Sequence, residues 1–308
     1  MRVYHSLEDF HPEAHAVVTI GTFDGVHAGH RKIIERLKEI AREQNGQTVV
    51  LTFYPHPRLV LQPDDNDLKM ITTLEERSRL LEEYGVDHLI IREFNAGFSR
   101  LSAVEFVRDI LVGKIGMKTL VIGHDHHFGR NREGSYKTLE ELAPVYGFGL
   151  EEIPEQVVNE VAVSSTKIRK ALLSGNIAEA NVLMGHDFML SGKVVAGDKM
   201  GRQLGFPTAN ISIEDPYKLI PADGIYAVHA ECAGQSFKGM LYIGKRPSLK
   251  GTDRRIEVNL FDFDGDLYNQ WINVHLKARI RGDENFDNLA QLQLKMEEDR
   301  FHATKLLS

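Results

Sequence analysis

The sequence predicts a mixed α/β protein in two parts: a parallel sheet covered by helices, then a small antiparallel barrel closed off by a terminal helix. Three observations carry that expectation. Short apolar runs alternate with amphipathic stretches as far as residue 173, the signature of βα units. From Phe188 onward the pattern changes to period two with no helix between strands. At 308 residues the chain is long for one domain and suits two.

In the first part, strands are expected at 16–20, 48–53, 88–91, 119–122 and 149–153, and helices at 29–44, 74–84, 103–114, 139–146 and 165–173. The first helix places Ile33, Ile34, Leu37, Ile40 and Ala41 on one face. Strands this uniformly apolar indicate a parallel sheet buried on both sides, and such sheets bind ligands at the carboxyl ends of their strands. The boundary is expected after the segment 176–185, giving domains at 1–184 and 185–308. Beyond it, 224–233 and 238–243 read as strands, and Val274, Leu276, Ala278 and Ile280 alternate with His275, Lys277 and Arg279. Asp264-Gly265, between Phe261-Asp262-Phe263 and Leu267-Tyr268, predicts a type I′ hairpin. Consecutive antiparallel strands suggest a closed barrel, with a helix from about Asp287 laying Leu289, Leu292 and Met296 on it.

Composition narrows the function classes. Thirty-seven basic against 44 acidic residues give a net charge of −7 with no basic block, which argues against a nucleic-acid partner but allows a local phosphate pocket. The single cysteine, Cys232, excludes an internal disulfide and a cysteine metal cluster, and its alternating apolar run reads as a buried strand. The first ten residues turn acidic before any apolar core could form, and no apolar run approaches membrane-spanning length. A cytoplasmic protein is expected, without a membrane partner, acting as a monomer or weak homo-oligomer on small molecules.

The most informative segment is Gly21-Thr22-Phe23-Asp24-Gly25-Val26-His27-Ala28-Gly29-His30, set between an expected strand and an expected helix. His27 and His30 are about one turn apart, at the positive end of the helix dipole, and Gly29 leaves room for a ligand. Imidazoles there can donate to oxygens that gain charge during a displacement. Ser164-Ser165-Thr166-Lys167-Ile168-Arg169 opens another helix, with hydroxyls and cations that suit an anion; simple capping also accounts for the serines. After the strand ending at Ile122 comes Gly123-His124-Asp125-His126-His127-Phe128-Gly129-Arg130-Asn131-Arg132-Glu133-Gly134. Its histidines invite a metal reading, but in an extended segment His124 and His126 face away from Asp125 and His127, and no distant ligands support it.

In the second part, Gly192-Lys193 and then Gly197, Gly201 and Gly205 recur at intervals of four or five and lead into Pro207-Thr208-Ala209-Asn210. Glycine density lets backbone amides wrap phosphates, though alone it is a weak signal. Extended, Thr208 and Asn210 point to one side and offer hard oxygen ligands for Mg²⁺. On the strand carrying Ile256, Val258 and Leu260, Glu257 faces the other way, either as a proton acceptor or as a surface carboxylate. Gly239 to Lys245 has Walker A spacing, but Arg246 replaces the required hydroxyl and the intervening residues are strand formers, so it is not a P-loop.

The His-x-Gly-His turn resembles the nucleotidyltransferase signature, and its longer form resembles the flavin-adenylylating members. The Ser-Ser-Thr-x-Ile-Arg element, the Gly-x-Asp-x-x-Phe-Gly-x-x-Arg-x-Gly loop and, more loosely, Phe53-Tyr54-Pro55-His56-Pro57 are similar to segments of the same proteins. The glycine segment ending in Pro-Thr-Ala-Asn, with residues 242–247 and the strand 256–263, resembles riboflavin kinases. Together they cover nearly the whole chain and resemble the bacterial bifunctional riboflavin kinase and FMN adenylyltransferase family. That resemblance implies a Rossmann-like nucleotidyltransferase domain and a riboflavin kinase barrel, with ATP, riboflavin, FMN and FAD as substrates and products and Mg²⁺ as cofactor. It implies catalytic roles for His27, His30 and Arg169 in the first site, and nucleotide or flavin contacts from Gly21, Phe23, Asp24, Gly29, Asp125, Phe128, Arg132, Ser164, Ser165 and Thr166. In the second it implies binding by Gly192, Lys193, Gly197, Gly201, Gly205, Pro207 and Arg281, metal ligation by Thr208 and Asn210, and Glu257 as base. Two departures stand out: Asn269 where a glycine is usual, and Lys295-Met296 where Gln-Ile is usual. A single-function transferase with a decayed barrel is disfavoured by the intact Thr208, Asn210 and Glu257. An RNA-binding barrel is disfavoured by the acidic balance and the lack of basic–aromatic interleaving.

Overall fold

The computed structural model describes the chain except residues 13, 63–67, 124–125, 154–162, 198–200, 202–203 and 249–250, and the side chains of 246–253. It divides into two compact units: Met1–Leu68 with Leu74–Ser164, and Lys69–Thr73 with Ser165–Ser308.

The first unit is built on a six-stranded, wholly parallel sheet. Its strands are β1 (Arg2–Tyr4), β2 (His15–Ile20), β3 (Gly46–Tyr54), β4 (His88–Glu93), β5 (Met117–Gly123) and β6 (Gly149–Ile153), in the order β1-β4-β3-β2-β5-β6. The alternation of side chains sends Val17, Val50, Leu89, Ile91 and Val121 to one face, against Ile34, Leu37 and Ile40 of α1 (Ala28–Glu43) and Leu80 and Leu81 of α3 (Leu74–Glu83). Val18, Leu51, Ile90, Leu120 and Ile122 meet Phe106, Ile110, Leu111 and Leu139 on the other. Leu139 belongs to α5 (Tyr136–Tyr146), and a short helix, α2 (Pro57–Leu61), follows β3. The strand order reverses beside β2, so the turn from β2 into α1 occupies the switch point where open parallel sheets bind ligands.

The helix expected over 103–114 is not α-helical throughout. A capped turn, α4 (Ala103–Glu105), continues as a π-helix over Phe106–Lys114, closed by Ile115 N donating to Ile110 O at 2.9 Å. Buried residues at 106, 107, 110 and 111 satisfy either pitch, so spacing alone does not distinguish them.

The second unit is a closed barrel in the order β10-β11-β8-β7-β12-β9. Its strands are β7 (Phe188–Val195), β8 (Ala209–Ser212), β9 (Gly224–Cys232), β10 (Gln235–Ser248), β11 (Gly251–Leu260) and β12 (Trp271–Arg281). Tyr226, Val228, Leu241, Ile243, Ile272 and Val274 are fully buried and fill it. The would-be P-loop is strand β10, and Cys232 is buried, which pushes its thiol pKa up. Two helices precede the barrel, α6 (Ser165–Ser174) and α7 (Ile177–Met184). From α7, Asn181 donates to Leu276 O at 2.8 Å and accepts from Phe188 N at 2.8 Å, and Ile177, Ala180 and Met184 are buried.

Two expectations are corrected here. No hairpin forms at Asp264-Gly265: β11 pairs with β10 and β8, whereas β12 pairs with β7 and β9. Phe261 is drawn into the cluster under the last helix, and Asn269 N donates to Val194 O at 3.0 Å, which carries the chain onward to β7 instead of back along β11. Asn269 adopts φ 64°, the conformation in which Asn best replaces Gly. The last helix, α8 (Leu289–Leu306), docks through its later turns, because Met296, Ala303 and Leu307 pack on Phe206, Ala227 and Met240 while Leu289 remains exposed. Arg281 fixes this corner through a two-pronged ion pair to the buried Asp299, at 2.9 Å from Nε to Oδ1 and 2.7 Å from Nη2 to Oδ2.

Candidate active sites

The first site forms where β2 gives way to α1. Phe23, Gly25 and Val26 all take positive φ, at 48°, 82° and 36°, in a turn closed by Val26 N donating to Phe23 O. For Phe and a β-branched Val this conformation costs on the order of 1–3 kcal/mol each, the kind of strain that gathers at functional turns. His27 is the N-cap of α1, with its Nδ1 accepting from His30 N at 3.4 Å. The two imidazoles stack, with centroids 3.7 Å apart and planes 14° from parallel, and Phe23 leans on His30 at 5.0 Å. The expected convergence of the histidines is therefore present, beside the amides of the first helical turn.

Burial, followed by the charges of His27 and Arg77, holds the His30 pKa well below its ordinary value, so this imidazole is neutral at pH 7. Its Nδ1 is buried with no hydrogen-bond partner among the described residues. One consequence is testable. As pH falls below about 6.5 the unfolded chain protonates this histidine and the folded one does not, so stability drops toward acid. His30→Gln should lack that component, and thermal unfolding of both proteins between pH 5 and 8 checks it. A variant with the same pH slope as the parent would contradict the assignment.

Arg77 belongs to this site and was not expected there. It lies on α3, 3% exposed, with Nη1 donating to Thr52 Oγ1 at 3.4 Å; Thr52 Oγ1 in turn donates to Thr22 O at 3.3 Å, inside the histidine turn. The signal was present in the spacing: Arg77 shares the stripe of Leu74, Leu80 and Leu81, where a charge has no reason to be buried without a task.

Asp125 and His124 lie outside the described residues. Phe128 is buried, and its N–H and carbonyl exchange hydrogen bonds with Gly134, so the loop closes on itself. Its ring joins a run of aromatic contacts, Phe53–Phe98–Phe106–Phe128, with neighbouring centroids 5.6 to 5.9 Å apart, and stacks on His126 at 6.0 Å. Arg132 is exposed with φ 60°. Ser164 ends the first unit, whereas Ser165, Thr166 and Arg169 stand on α6 in the second, with Arg169 Nε donating to Lys69 O at 2.7 Å.

In the second unit, β8 and β11 pair Asn210 directly with Glu257, and Thr208 Oγ1 donates to Glu257 Oε2 at 3.1 Å. Glu257 is buried at 7% exposure, so it is not an ordinary surface carboxylate. Gly197 lies across the amide of Asn210 so closely that a Cβ would fall 2.0 Å from Nδ2. Gly201 packs on the Phe206 carbonyl, where a Cβ would fall 2.3 Å away, and its own carbonyl accepts from Leu204 N and Phe206 N. Asn259, next on the polar face of β11, donates to Pro207 O at 2.7 Å and pins the Pro-Thr-Ala-Asn turn. Gly192 and Lys193 sit on β7, where Gly192 allows close pairing with Ser212. A cavity of about 850 Å³ opens beside Gly197 and Asn210, with Asp215, Lys218, Arg254 and Arg255 on its wall. Among the described residues no group of three or more His, Cys, Asp or Glu could hold a metal ion, and no helix is long and apolar enough to cross a membrane.

A doubly wound unit with a histidine turn at its switch point, followed in the chain by a barrel whose buried carboxylate faces a glycine-covered turn, defines an α/β protein with one candidate site in each unit. The comparisons agree with that division. The chain belongs to the FAD synthetase family over residues 10–167, and residues 184–307 match the riboflavin kinase family. It is 38% identical to the bifunctional riboflavin kinase/FMN adenylyltransferase of Escherichia coli (strain K12) over 304 residues, 98% of this chain and 96% of that one. The protein of the same description from Bacillus subtilis (strain 168) is 35% identical over 317 residues, covering 100% and 99%. A crystal structure from Streptococcus pneumoniae, described as a macrolide-efflux protein, superposes with a TM-score of 0.86 at 32% identity and covers 98% of both chains.

Proposed function

We propose a division of labour between the two sites. As a member of these families the chain is a riboflavin kinase and an FMN adenylyltransferase: ATP phosphorylates riboflavin to FMN, and a second ATP adenylylates FMN to FAD with release of pyrophosphate. In our reading the barrel performs the first step and the histidine turn the second. The buried Glu257, bonded to the half-buried Thr208 and paired with Asn210 under Gly197, is the observation that carries it, because a barrel without catalytic work has no use for it.

In the kinase step Glu257 accepts the proton of the riboflavin 5′-hydroxyl as its oxygen attacks the γ-phosphorus of ATP and ADP leaves. The oxygens of Thr208 and Asn210 are hard donors that suit Mg²⁺, which when bound would neutralise phosphate charge. The backbone at Gly197, Gly201 and Gly205 leaves room for the phosphates, with Gly192 and Pro207 at the ends of the binding segment, and Lys193 adds charge. Arg281, already held by Asp299, keeps the β12–α8 corner in place beside the flavin.

In the adenylylation step an FMN phosphate oxygen attacks the α-phosphorus of ATP, and the bond to pyrophosphate breaks. Neutral His30 and its stacked partner His27 donate to the phosphate oxygens, Gly21 and Gly29 leave the approach open, and Asp24 shapes the turn. Ser164, Ser165, Thr166 and Arg169 bind the triphosphate, and Asp125, Phe128 and Arg132 bind flavin or nucleotide. Neither step needs a covalent enzyme intermediate, and positioning with charge stabilisation suffices. The chain acts in the cytoplasm as a monomer or weak oligomer, without nucleic acid.

Incubation with riboflavin and Mg·ATP, followed by chromatography of the flavins, tests the whole reading: both FMN and FAD should form. We place the catalytic boundary at 184/185. A fragment of residues 189–308 should convert riboflavin to FMN and leave FMN unadenylylated. A fragment beginning at Ser165 should do the same and melt several degrees higher, since it keeps the buried α7 side chains Ile177 and Met184, each of which contributes roughly 1.5–3 kcal/mol on burial, together with Ala180. Scanning calorimetry and the flavin assay check both. Folded fragments unable to make FMN would end the claim.

A further inference from the structure

Pairing between β2 and β3 ends at Ile20 opposite Leu51, and a last backbone bond runs from Gly21 N to Leu51 O at 3.1 Å. The chain then enters the histidine turn, where Phe23, Gly25 and Val26 hold positive φ. Strain of this kind persists only where the surrounding structure over-determines the conformation. One contact beyond the ladder does so: Thr52 Oγ1 donates to Thr22 O at 3.3 Å, directly before the strained Phe23. Thr52 is buried on the face of β3 that also carries Val50, packed against α1 and α3. An aliphatic side chain would fill that position equally well, so the hydroxyl is distinguished by what it bonds.

A threonine hydroxyl has one proton to give and two lone pairs to offer, and Arg77 settles which way it points. From α3, Arg77 Nη1 donates to Thr52 Oγ1 at 3.4 Å, which occupies an acceptor position and leaves the hydroxyl proton for Thr22 O. Arg77 is itself buried, among the apolar Leu80 and Leu81, where a guanidinium is costly unless it is bonded. The Thr22 carbonyl in turn sets Phe23, whose ring folds over Gly21, where a Cβ would fall 3.1 Å from it, and leans on His30 at 5.0 Å. All of these residues belong to the first unit. We propose that Arg77 is a positioning residue for FMN adenylylation: by turning the Thr52 hydroxyl onto Thr22 O it holds the turn that presents His27 and His30. This rests on the assignment of adenylylation to that turn.

The charge of Arg77 supplies an independent readout. Burial disfavours the His30 imidazolium most, and of the titratable groups around it His27, at the N-cap of α1, and Arg77, on α3, disfavour it further. Removing the guanidinium therefore moves the His30 pKa up toward its ordinary value, whereas removing the Thr52 hydroxyl leaves it in place.

The test uses the full chain supplied with FMN and Mg·ATP and reads initial rates of FAD formation, with riboflavin phosphorylation as the check on folding. Thr52→Val replaces the hydroxyl by a methyl of similar size. It should lower kcat by roughly 10- to 100-fold, the scale of a misplacement near 1 Å, with the KM for FMN changing less. Arg77→Met should fall at least as far, and Arg77→Lys, which keeps a charged donor, should recover part of the rate. The double variant should be no slower than Arg77→Met, because both changes break one chain of contacts. An NMR titration follows the His30 ring, its signals assigned by their loss in His30→Gln. The pKa should rise in Arg77→Met and keep its parental value in Thr52→Val. A residue that merely fills space would leave that titration alone and give losses that multiply. A parental kcat in Thr52→Val, multiplied losses, or a parental His30 titration in Arg77→Met would each overturn the proposal. Should Arg77→Met fail to fold, Thr52→Val with Arg77→Lys carries the same cycle, and a parental kcat in Thr52→Val still refutes it. His30→Ala serves as the control. If it adenylylates FMN normally, the site assignment falls, which separates that failure from a failure of the Arg77 contact.

Discussion

In His30→Ala, FAD formation from FMN falls by about a hundredfold or more, the cost of losing a preorganised donor to developing charge, while riboflavin is still converted to FMN. The expectation rests on three features of one side chain. His30 is stacked on His27 at 3.7 Å and wedged by Phe23, so its ring direction is fixed before substrate arrives. Burial and the neighbouring charges keep it neutral, so it donates through one N–H and does not carry a permanent charge that would bind reactant and transition state alike. Its position in the first turn of α1 sets it beside the backbone amides of a helix N-terminus, which suit an anion. The alanine variant removes only the imidazole and leaves the N-cap His27, so the helix should still form. Chromatography of the flavins after incubation with riboflavin and Mg·ATP would show FMN accumulating. Near-normal FAD would remove His30 from the mechanism, and loss of FMN as well would mean that the change had unfolded the chain.

Much of this architecture was legible because its physics is local. The five strands expected in the first half are all present, since an apolar run of four to six residues between helices has little else to become. The histidine turn was legible from glycines and histidines at fixed spacing. Glu257 was legible from alternation alone, but its burial was not, because the segment that covers it is set by pairing across the barrel. Long-range pairing also explains the failure at Asp264-Gly265. A strong local turn signal was overridden by the demand of barrel closure that β12 lie between β7 and β9. Leu289 misled for a related reason, since helical periodicity identifies an apolar face without saying which turns meet the barrel. Arg77 and the buried Lys218 were overlooked because a charged residue in a helix or loop ordinarily faces water, although the apolar stripe of α3 already marked position 77.

The kinase half makes the sharper test of chemistry against architecture. Glu257→Gln keeps an acceptor for the Thr208 hydroxyl, now a 3.1 Å bond, and keeps the size of the side chain, but a neutral amide cannot take a proton from the ribityl hydroxyl. If Glu257 is the base, riboflavin phosphorylation should fall by roughly 10²- to 10⁴-fold while the barrel remains folded. If it serves only to hold Thr208, the glutamine should restore the contact and the rate should stay near that of the parent. Asn210→Ala removes the oxygen paired across from Glu257 and opens the space now closed by Gly197. It should slow FMN formation as well, and raising the Mg²⁺ concentration should recover part of the rate if the lost group is a metal ligand. Both variants, supplied with FMN, should form FAD at the parental rate, because none of the residues at the histidine turn has been touched. An active Glu257→Gln would leave the barrel without its base, and equal loss of both activities in either variant would replace two sites with one.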